Sequence, residues 1–295
     1  MSRQEKEWTR AEFRRRVEGR DNIVTAPGAY DALTAKLVQR SGFEAVYLSG
    51  AGVSYSTLGQ PDLGLISFHE MLQALQRVRQ GVAIPIIADA DNGYGNALNV
   101  RRTVQMYEAA GAFAIQLEDQ AYPKKCGHLA KKVLIPAKEG AMKIKAAVDA
   151  RQDPNTLIIA RTDALAVNGF ADALERAKRY EDAGADVIFV EAPTGPEQMA
   201  ELNRVIAAPC LANMVEGGKT PLLPNEELQK IGYRIVIYPN MVTRIVARHV
   251  ERALASLRDH GSSQPLLQEM MLFPELNRLL GIEELNQLEQ MYAVD

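Results

Sequence analysis

Eight short runs rich in β-branched residues alternate with longer segments of helical period, and that alternation predicts an α/β chain closed into a (β/α)8, or TIM, barrel. Two further observations support it. The runs are apolar almost throughout, as strands of a parallel sheet covered on both faces must be. Four of them also share a layout in which a glycine precedes a distinctive residue by seven positions: Gly42 and Ser49, Gly111 and Glu118, Gly184 and Glu191, Gly232 and Pro239. A glycine at such a place ends a helix. The 295 residues are therefore read as one domain, 1–295, with an N-terminal helix and a C-terminal helical extension over about 241–295.

The elements follow in order. Glu7 to Glu18 spaces Trp8, Phe13 and Val17 as a helix covering one end of the barrel would. Strands are expected near Ile23–Ala26, Ala45–Leu48, Ile84–Ala88, Phe113–Leu117, Leu157–Ala160, Val187–Val190, Cys210–Ala212 and Ile235–Tyr238. Helical patterns between them run over Asp31–Arg40, Phe68–Val78, Val100–Ala110, Met142–Ala150, Ala171–Ala183, Pro196–Val205 and Asn225–Ile231. After the last strand a helix is expected over Met241–Arg258, then a break at Gly261–Pro265, then helices at Leu266–Leu272 and Glu283–Met291. A barrel closes without these extra helices, so their apolar faces are expected to meet another copy of the chain.

Composition excludes several classes. A net charge of -3 leaves no electrostatic footprint for nucleic acid or an anionic membrane. No apolar run approaches the roughly 20 residues that span a bilayer. Met1 to Glu7 carries no apolar segment of the secretory kind, and Cys126 and Cys210 stand too far apart to suggest a disulfide framework. A reducing, cytoplasmic setting is the expectation.

Catalytic residues of such barrels sit at the C-terminal ends of the strands. There the chain places Ser49, Asp89, Asp91, Glu118, Arg161, Glu191 and Asn213. Carboxylates converging on one mouth repel unless a cation sits among them, and Asp89, Asp91 and Glu118 are hard oxygen donors suited to Mg²⁺. Arg161 offers a fork for a carboxylate or phosphate. Ser49, Gly50 and Ala51 bring a hydroxyl and backbone N–H groups toward an anion. The loop Lys124-Lys125-Cys126-Gly127-His128 adds two cations, a thiol and an imidazole. Together they imply a small, multiply anionic substrate. Plainer readings exist for each: Asp89 and Asp91 could cap a helix, Glu118 and Asp119 could pair with the lysines, and Cys126 could be inert. Their joint arrival at strand ends favours chemistry.

Lys124 to His128, preceded by Glu118-Asp119-Gln120, resembles the active-site signature of the isocitrate lyase/phosphoenolpyruvate mutase superfamily. Matching stretches are Tyr47–Gly50, Ala88–Gly95, Ala160–Ala164 and Leu211–Pro221, and the likeness runs from about Ala26 to Tyr292. The methylisocitrate lyases, 2,3-dimethylmalate lyases and carboxyphosphonoenolpyruvate mutases look nearest. The resemblance implies a homotetramer of helix-swapped barrels. It implies Mg²⁺ (with Mn²⁺ as a substitute) at Asp89 and Asp91, and a substrate held by Ser49, Gly50, Ala51, Gly127, Arg161, Glu191, Asn213 and Arg244. Residues 121–134 would form a gating loop carrying Cys126 as the proton donor, tuned by Lys124 and His128, with Glu118 beside the metal.

The implied reaction is retro-aldol cleavage of a 2-hydroxy dicarboxylate, a 2-alkylmalate or 2-methylisocitrate. Alternatives are a mutase forming a P–C bond and a catalytically silent barrel. One departure stands out. Phe273 occupies the place where methylisocitrate lyases carry a further substrate-binding arginine, which disfavours a tricarboxylate.

Overall fold

The computed structural model describes residues 7–19, 21–127 and 131–293. Short apolar runs become strands: β1 (Val24–Ala29), β2 (Val46–Leu48), β3 (Ile86–Asp89), β4 (Ala114–Glu118), β5 (Leu157–Thr162), β6 (Val187–Val190), β7 (Leu211–Asn213) and β8 (Ile235–Tyr238). All pair in parallel in the order β6-β5-β4-β3-β2-β1-β8-β7. A parallel bridge between Ile188 and Cys210 joins β6 to β7 and closes the ring.

Helices return the chain between strands: α1 (Arg10–Glu18), α2 (Ala32–Arg40), α3 (Gly50–Leu58), α4 (Phe68–Gly81), α5 (Ala97–Ala109), α6 (Ala137–Ala150), α7 (Ala164–Val167), α8 (Phe170–Asp182), α9 (Pro196–Val205) and α10 (Asn225–Ile231). The four repeat glycines adopt left-handed backbone, with φ of 87° at Gly42, 93° at Gly111, 96° at Gly184 and 126° at Gly232. That conformation ends the helix at little cost only without a Cβ.

Two apolar layers result. The outer one, between sheet and helices, includes Val38, Leu75, Val104, Ile144, Ala177 and Leu202. The inner one fills the barrel with Tyr47, Ile87, Ile159, Phe189, Leu211 and Ile237. Its base is closed by α1, where Phe13 meets Phe113 edge-on at 6.0 Å between ring centroids. Side chains alternate across a strand, so inward positions recur every second residue. The rows therefore run Ala45–Tyr47–Ser49, Leu157–Ile159–Arg161, Val187–Phe189–Glu191 and Leu211–Asn213. Each begins in core and ends at the mouth.

Several expectations need correcting. Two helices, α3 and α7, were not foreseen. The first holds two glycines and three Ser or Thr residues, poor helix formers, and forms because Ser49 caps it by accepting from Gly52 N at 3.1 Å. The helix expected at Leu266–Leu272 is instead a 3-10 turn, Gln264–Glu269, followed by a helix from Phe273. Pro265 and Pro274 sit in the first turns and set both starts.

The chain divides into two units, 1–241 and 242–295. The second contains all but the first residue of α11 (Met241–His260), the 3-10 turn, α12 (Phe273–Leu279) and α13 (Ile282–Tyr292), none of which has a buried residue. Among the described residues no helix is long and apolar enough to cross a membrane.

Candidate active site

The inward rows end around one cavity, with about 430 Å³ of empty space including its opening to solvent. Ser49, Asp89, Glu118, Arg161, Glu191 and Asn213 line it from the strand ends. Lys124, Lys125, Cys126 and Gly127 line it from the loop after β4. Asp62 enters from the segment between α3 and α4, and Val215, Ile237 and Pro239 form an apolar wall. The size suits a small acid.

One side is built on Asp89. Its Oδ2 accepts from Gly50 N at 3.2 Å and its Oδ1 from Asp91 N at 3.1 Å, with Gln116 Nε2 at 3.4 Å. The N–H of Gly50 is thus engaged by a carboxylate of the protein. A Cβ there would come within 2.7 Å of Asp89 Oδ2, so a larger residue would displace that carboxylate. Asp91 follows with φ of 46°, unusual for a residue with a side chain. Lys124 Nζ lies 2.6 Å from both Asp62 Oδ1 and Asp91 Oδ1 and bridges them. Burial raises the Asp91 carboxyl to about 6; Lys124 opposes that rise and Asp89 adds to it. Burial also works against charge on Lys124, but Asp91 and Asp62 outweigh it and hold the ammonium well above its ordinary value. Glu118 is pushed well up by burial, against the pull of Arg161 and Lys124.

The other side is built on Arg161. Its Nε reaches Asp163 Oδ2 at 3.0 Å and its Nη2 reaches Asp163 Oδ1 at 3.2 Å. Glu191 Oε2 lies 3.3 Å from Nη2, and Glu118 Oε2 lies 3.5 Å from Nη1. The ring of Phe189 lies 5.2 Å beneath the guanidinium carbon. The fork expected to clasp a substrate is therefore already occupied by Asp163, which fixes the aim of the Nη1 edge. Asn213 Nδ2 donates to Glu191 Oε2 at 3.0 Å, tying the ends of β6 and β7 together. Behind this side, Asp119 accepts from Thr162 Oγ1 at 2.7 Å, Asp163 N at 3.0 Å and Tyr180 Oη at 2.9 Å.

The loop docks by backbone and side chain. Cys126 N donates to Asp62 O at 3.2 Å, and Lys125 N donates to Gln120 Oε1 at 2.9 Å. Tyr122 Oη donates to Gly64 O at 2.9 Å. A Cβ on Gly127 would collide with Arg161 and Glu191, so the backbone there lies directly on those side chains.

The structure thus brings Ser49, Gly50, Ala51, Asp89, Asp91, Glu118, Lys124, Cys126, Gly127, Arg161, Glu191 and Asn213 to one mouth. His128 lies outside the described residues. Arg244 and Phe273 belong to the second unit, at the fourth residue of α11 and the first of α12. Tyr47, Asp62, Gln116, Lys132 and Asp163 were missed. Tyr47 and Gln116 sit inside strands, where two-residue alternation with Ser49 and Glu118 was the available signal. Asp62 reaches the site from a loop without period.

Whether these residues suit a divalent ion can be tested on the charges. Six carboxyl groups (Asp62, Asp89, Asp91, Glu118, Asp163, Glu191) meet four cationic side chains (Lys124, Lys125, Lys132, Arg161) here, a formal excess of two acids. Glu118 Oε1 is buried and has no hydrogen-bond partner among them. No three His, Cys, Asp or Glu side chains among the described residues are placed to hold an ion by themselves. The excess of carboxylates and the orphaned Glu118 Oε1 fit a hard, oxygen-binding cation.

The family model described as phosphoenolpyruvate phosphomutase matches residues 13–258. The chain is 47% identical over 271 residues to a 2,3-dimethylmalate lyase of Eubacterium barkeri, covering 92% of this chain and 94% of that one. It is 46% identical over 272 residues to a 2-methylisocitrate lyase of Aeropyrum pernix, covering 92% and 87%. Its fold superposes on a crystal structure of 2,3-dimethylmalate lyase with a TM-score of 0.91 at 35% identity, covering 97% and 98% of the two chains.

Proposed function

The chain belongs to the phosphoenolpyruvate mutase/isocitrate lyase superfamily, and from that premise we propose that it is a carbon–carbon lyase splitting a 2-alkylmalate such as 2,3-dimethylmalate. The products are a 2-oxo acid and a carboxylate. One observation carries this choice of substrate: the cavity is lined both by the cations Arg161, Lys124 and Lys125 and by the apolar side chains of Val215, Ile237 and Pro239. Two carboxylates and alkyl substituents answer to those two surfaces, whereas a third carboxylate set against the wall would be buried unpaired.

Asp89, Asp91 and Glu118 would hold Mg²⁺ (or Mn²⁺), which when bound would polarise the substrate oxygens and favour negative charge at the 2-hydroxyl. Arg161, aimed by Asp163, holds the carboxylate next to the scissile bond, with Ser49, Ala51 and Asn213 around it. As the 2-hydroxyl gives its proton to a carboxylate of the mouth and becomes a ketone, the C2–C3 electron pair passes to C3. Cys126 gives that carbon its proton, and Lys124 lowers the energy of the anionic species. Gly127 closes the space over Arg161 and excludes water. Arg244 and His128 are kept in the proposal as further anion-binding groups. A second copy covering the apolar stripe of α11, within a homotetramer in the cytoplasm, completes the proposal.

The test is pyruvate release, read by a coupled dehydrogenase, from 2,3-dimethylmalate, 2-methylmalate, 2-methylisocitrate and oxaloacetate with Mg²⁺ or EDTA. Release from the dicarboxylates, abolished by EDTA and by Cys126→Ser, is the expected outcome. Strong turnover of 2-methylisocitrate would overturn the substrate choice, and silence on all four would favour the mutase reading that the family model's description keeps in view.

A further inference from the structure

Lys132 has no part in the chemistry just described, yet it is buried beside the site. Its Nζ lies 2.6 Å from Asp163 Oδ1, a side chain with no exposure at all, and also donates to the backbone oxygen of Gly127. Asp163 in turn grips Arg161 through Nε and Nη2. Gly127 lies on Arg161 and Glu191 with no room for a Cβ. The four groups form a closed ring: Gly127 carbonyl, Lys132 ammonium, Asp163 carboxylate, Arg161 guanidinium, and back to Gly127.

We propose that Lys132 is a positioning residue that sets Cys126-Gly127 and Arg161 in register by donating to the Gly127 carbonyl and the Asp163 carboxylate together. The reasoning rests on Cys126 and Arg161 being the reacting and substrate-holding groups of the lyase reading. A lysine suits the place because its compact ammonium carries three donors that can serve two acceptors at once. Asp163 requires a positive partner for a separate reason: burial disfavours its charge, while Arg161 and Lys132 hold it ionised below its ordinary range. The plainer role for Lys132 is therefore charge balance alone, and the experiment has to separate the two.

Three variants of the full chain do so: Lys132→Met, Asp163→Asn, and both together. Asparagine at 163 keeps an acceptor for Arg161 while removing the charge that needs balancing. The first readout is alkylation of Cys126 by iodoacetamide without substrate, followed by peptide mass spectrometry. Cys210 serves as internal control, since burial raises its thiol to about 12. Losing a charged donor to the Gly127 carbonyl should speed Cys126 alkylation about tenfold. It should lower kcat about a hundredfold with a smaller change in KM, as misplacement of reacting groups does.

The double variant decides. If Lys132 positions Gly127, Lys132→Met/Asp163→Asn keeps the fast alkylation of Lys132→Met, while Asp163→Asn alone leaves Cys126 alkylation near the wild-type rate and lowers kcat through its lost grip on Arg161. Recovery of wild-type alkylation in the double variant would overturn the proposal and leave charge balance. Wild-type alkylation in Lys132→Met would overturn it directly. Should Lys132→Met fail to fold with an unpaired carboxylate inside, the double variant, which buries no lone charge, still carries the test. Alkylation needs no turnover, so an inactive wild type would sink the lyase reading without deciding this one.

Discussion

The helices of the barrel and those of the C-terminal unit carry the same apolar spacing but meet different fates. In α4, Met71, Leu75 and Val78 recur at spacings of four and three residues, and all are buried. In α11, Val246, Val250, Leu254 and Leu257 keep that spacing, yet they stand 39 to 60% exposed. Periodicity states that a face is to be covered. It says nothing about what covers it. In the barrel the cover is the sheet of the same chain, while for α11 a second copy is the proposed cover.

The difference can be broken or sharpened by substitution. Leu75→Asp places a lone charge in the outer layer and should destabilise the barrel by more than about 4 kcal/mol, read by urea unfolding. Retention of a folded barrel would mean that its core is as tolerant as an exposed face. Tyr180→Phe removes a donor from buried Asp119 and should cost about 1–3 kcal/mol. Thr9→Ala breaks the capping box that starts α1 and should cost about 1 kcal/mol in the same assay. Val250→Asp with Leu254→Asp should change the far-ultraviolet spectrum little, yet reduce the mass measured by light scattering to one chain. Unchanged mass would show that this stripe is not the interface.

Cys210 allows a pH version of the same comparison. Burial raises its thiol from 9 to about 12, so the folded state favours the neutral form. Its contribution is whole below pH 9 and is lost as pH rises from 9 toward 12. The stability difference between wild type and Cys210→Ala should therefore shift against wild type over that window.

The barrel was legible because strand period, helix period and the closing glycines all agree. The mouth was legible where a polar residue follows an apolar strand, as at Asp89, Arg161 and Asn213. What was hidden reaches the site by other routes. Asp62 and Lys132 arrive on loops, whose paths leave no period in sequence. Tyr47 and Gln116 were absorbed into strands because their neighbours are core. Gly50, expected to bind substrate, sets its N–H on Asp89 Oδ2, a pairing between strands that sequence spacing does not show. The Nε and Nη2 side of Arg161 is met by Asp163, a pairing two positions apart that the sequence does not announce.

Two strand ends carry backbone that L-residues adopt reluctantly: Asp91 with φ of 46° and Ala192 with φ of 63°. Each costs of order 1–3 kcal/mol, and glycine would relieve it. Glycine at 91 would also delete the carboxylate that Lys124 bridges, and glycine at 192 would loosen the bend that follows Glu191. The two strains are therefore not alike, because removing one partner of a buried ion pair costs about 3–5 kcal/mol and outweighs the relief at 91. A laboratory selection rewarding heat resistance alone would accept glycine at 192 and refuse it at 91.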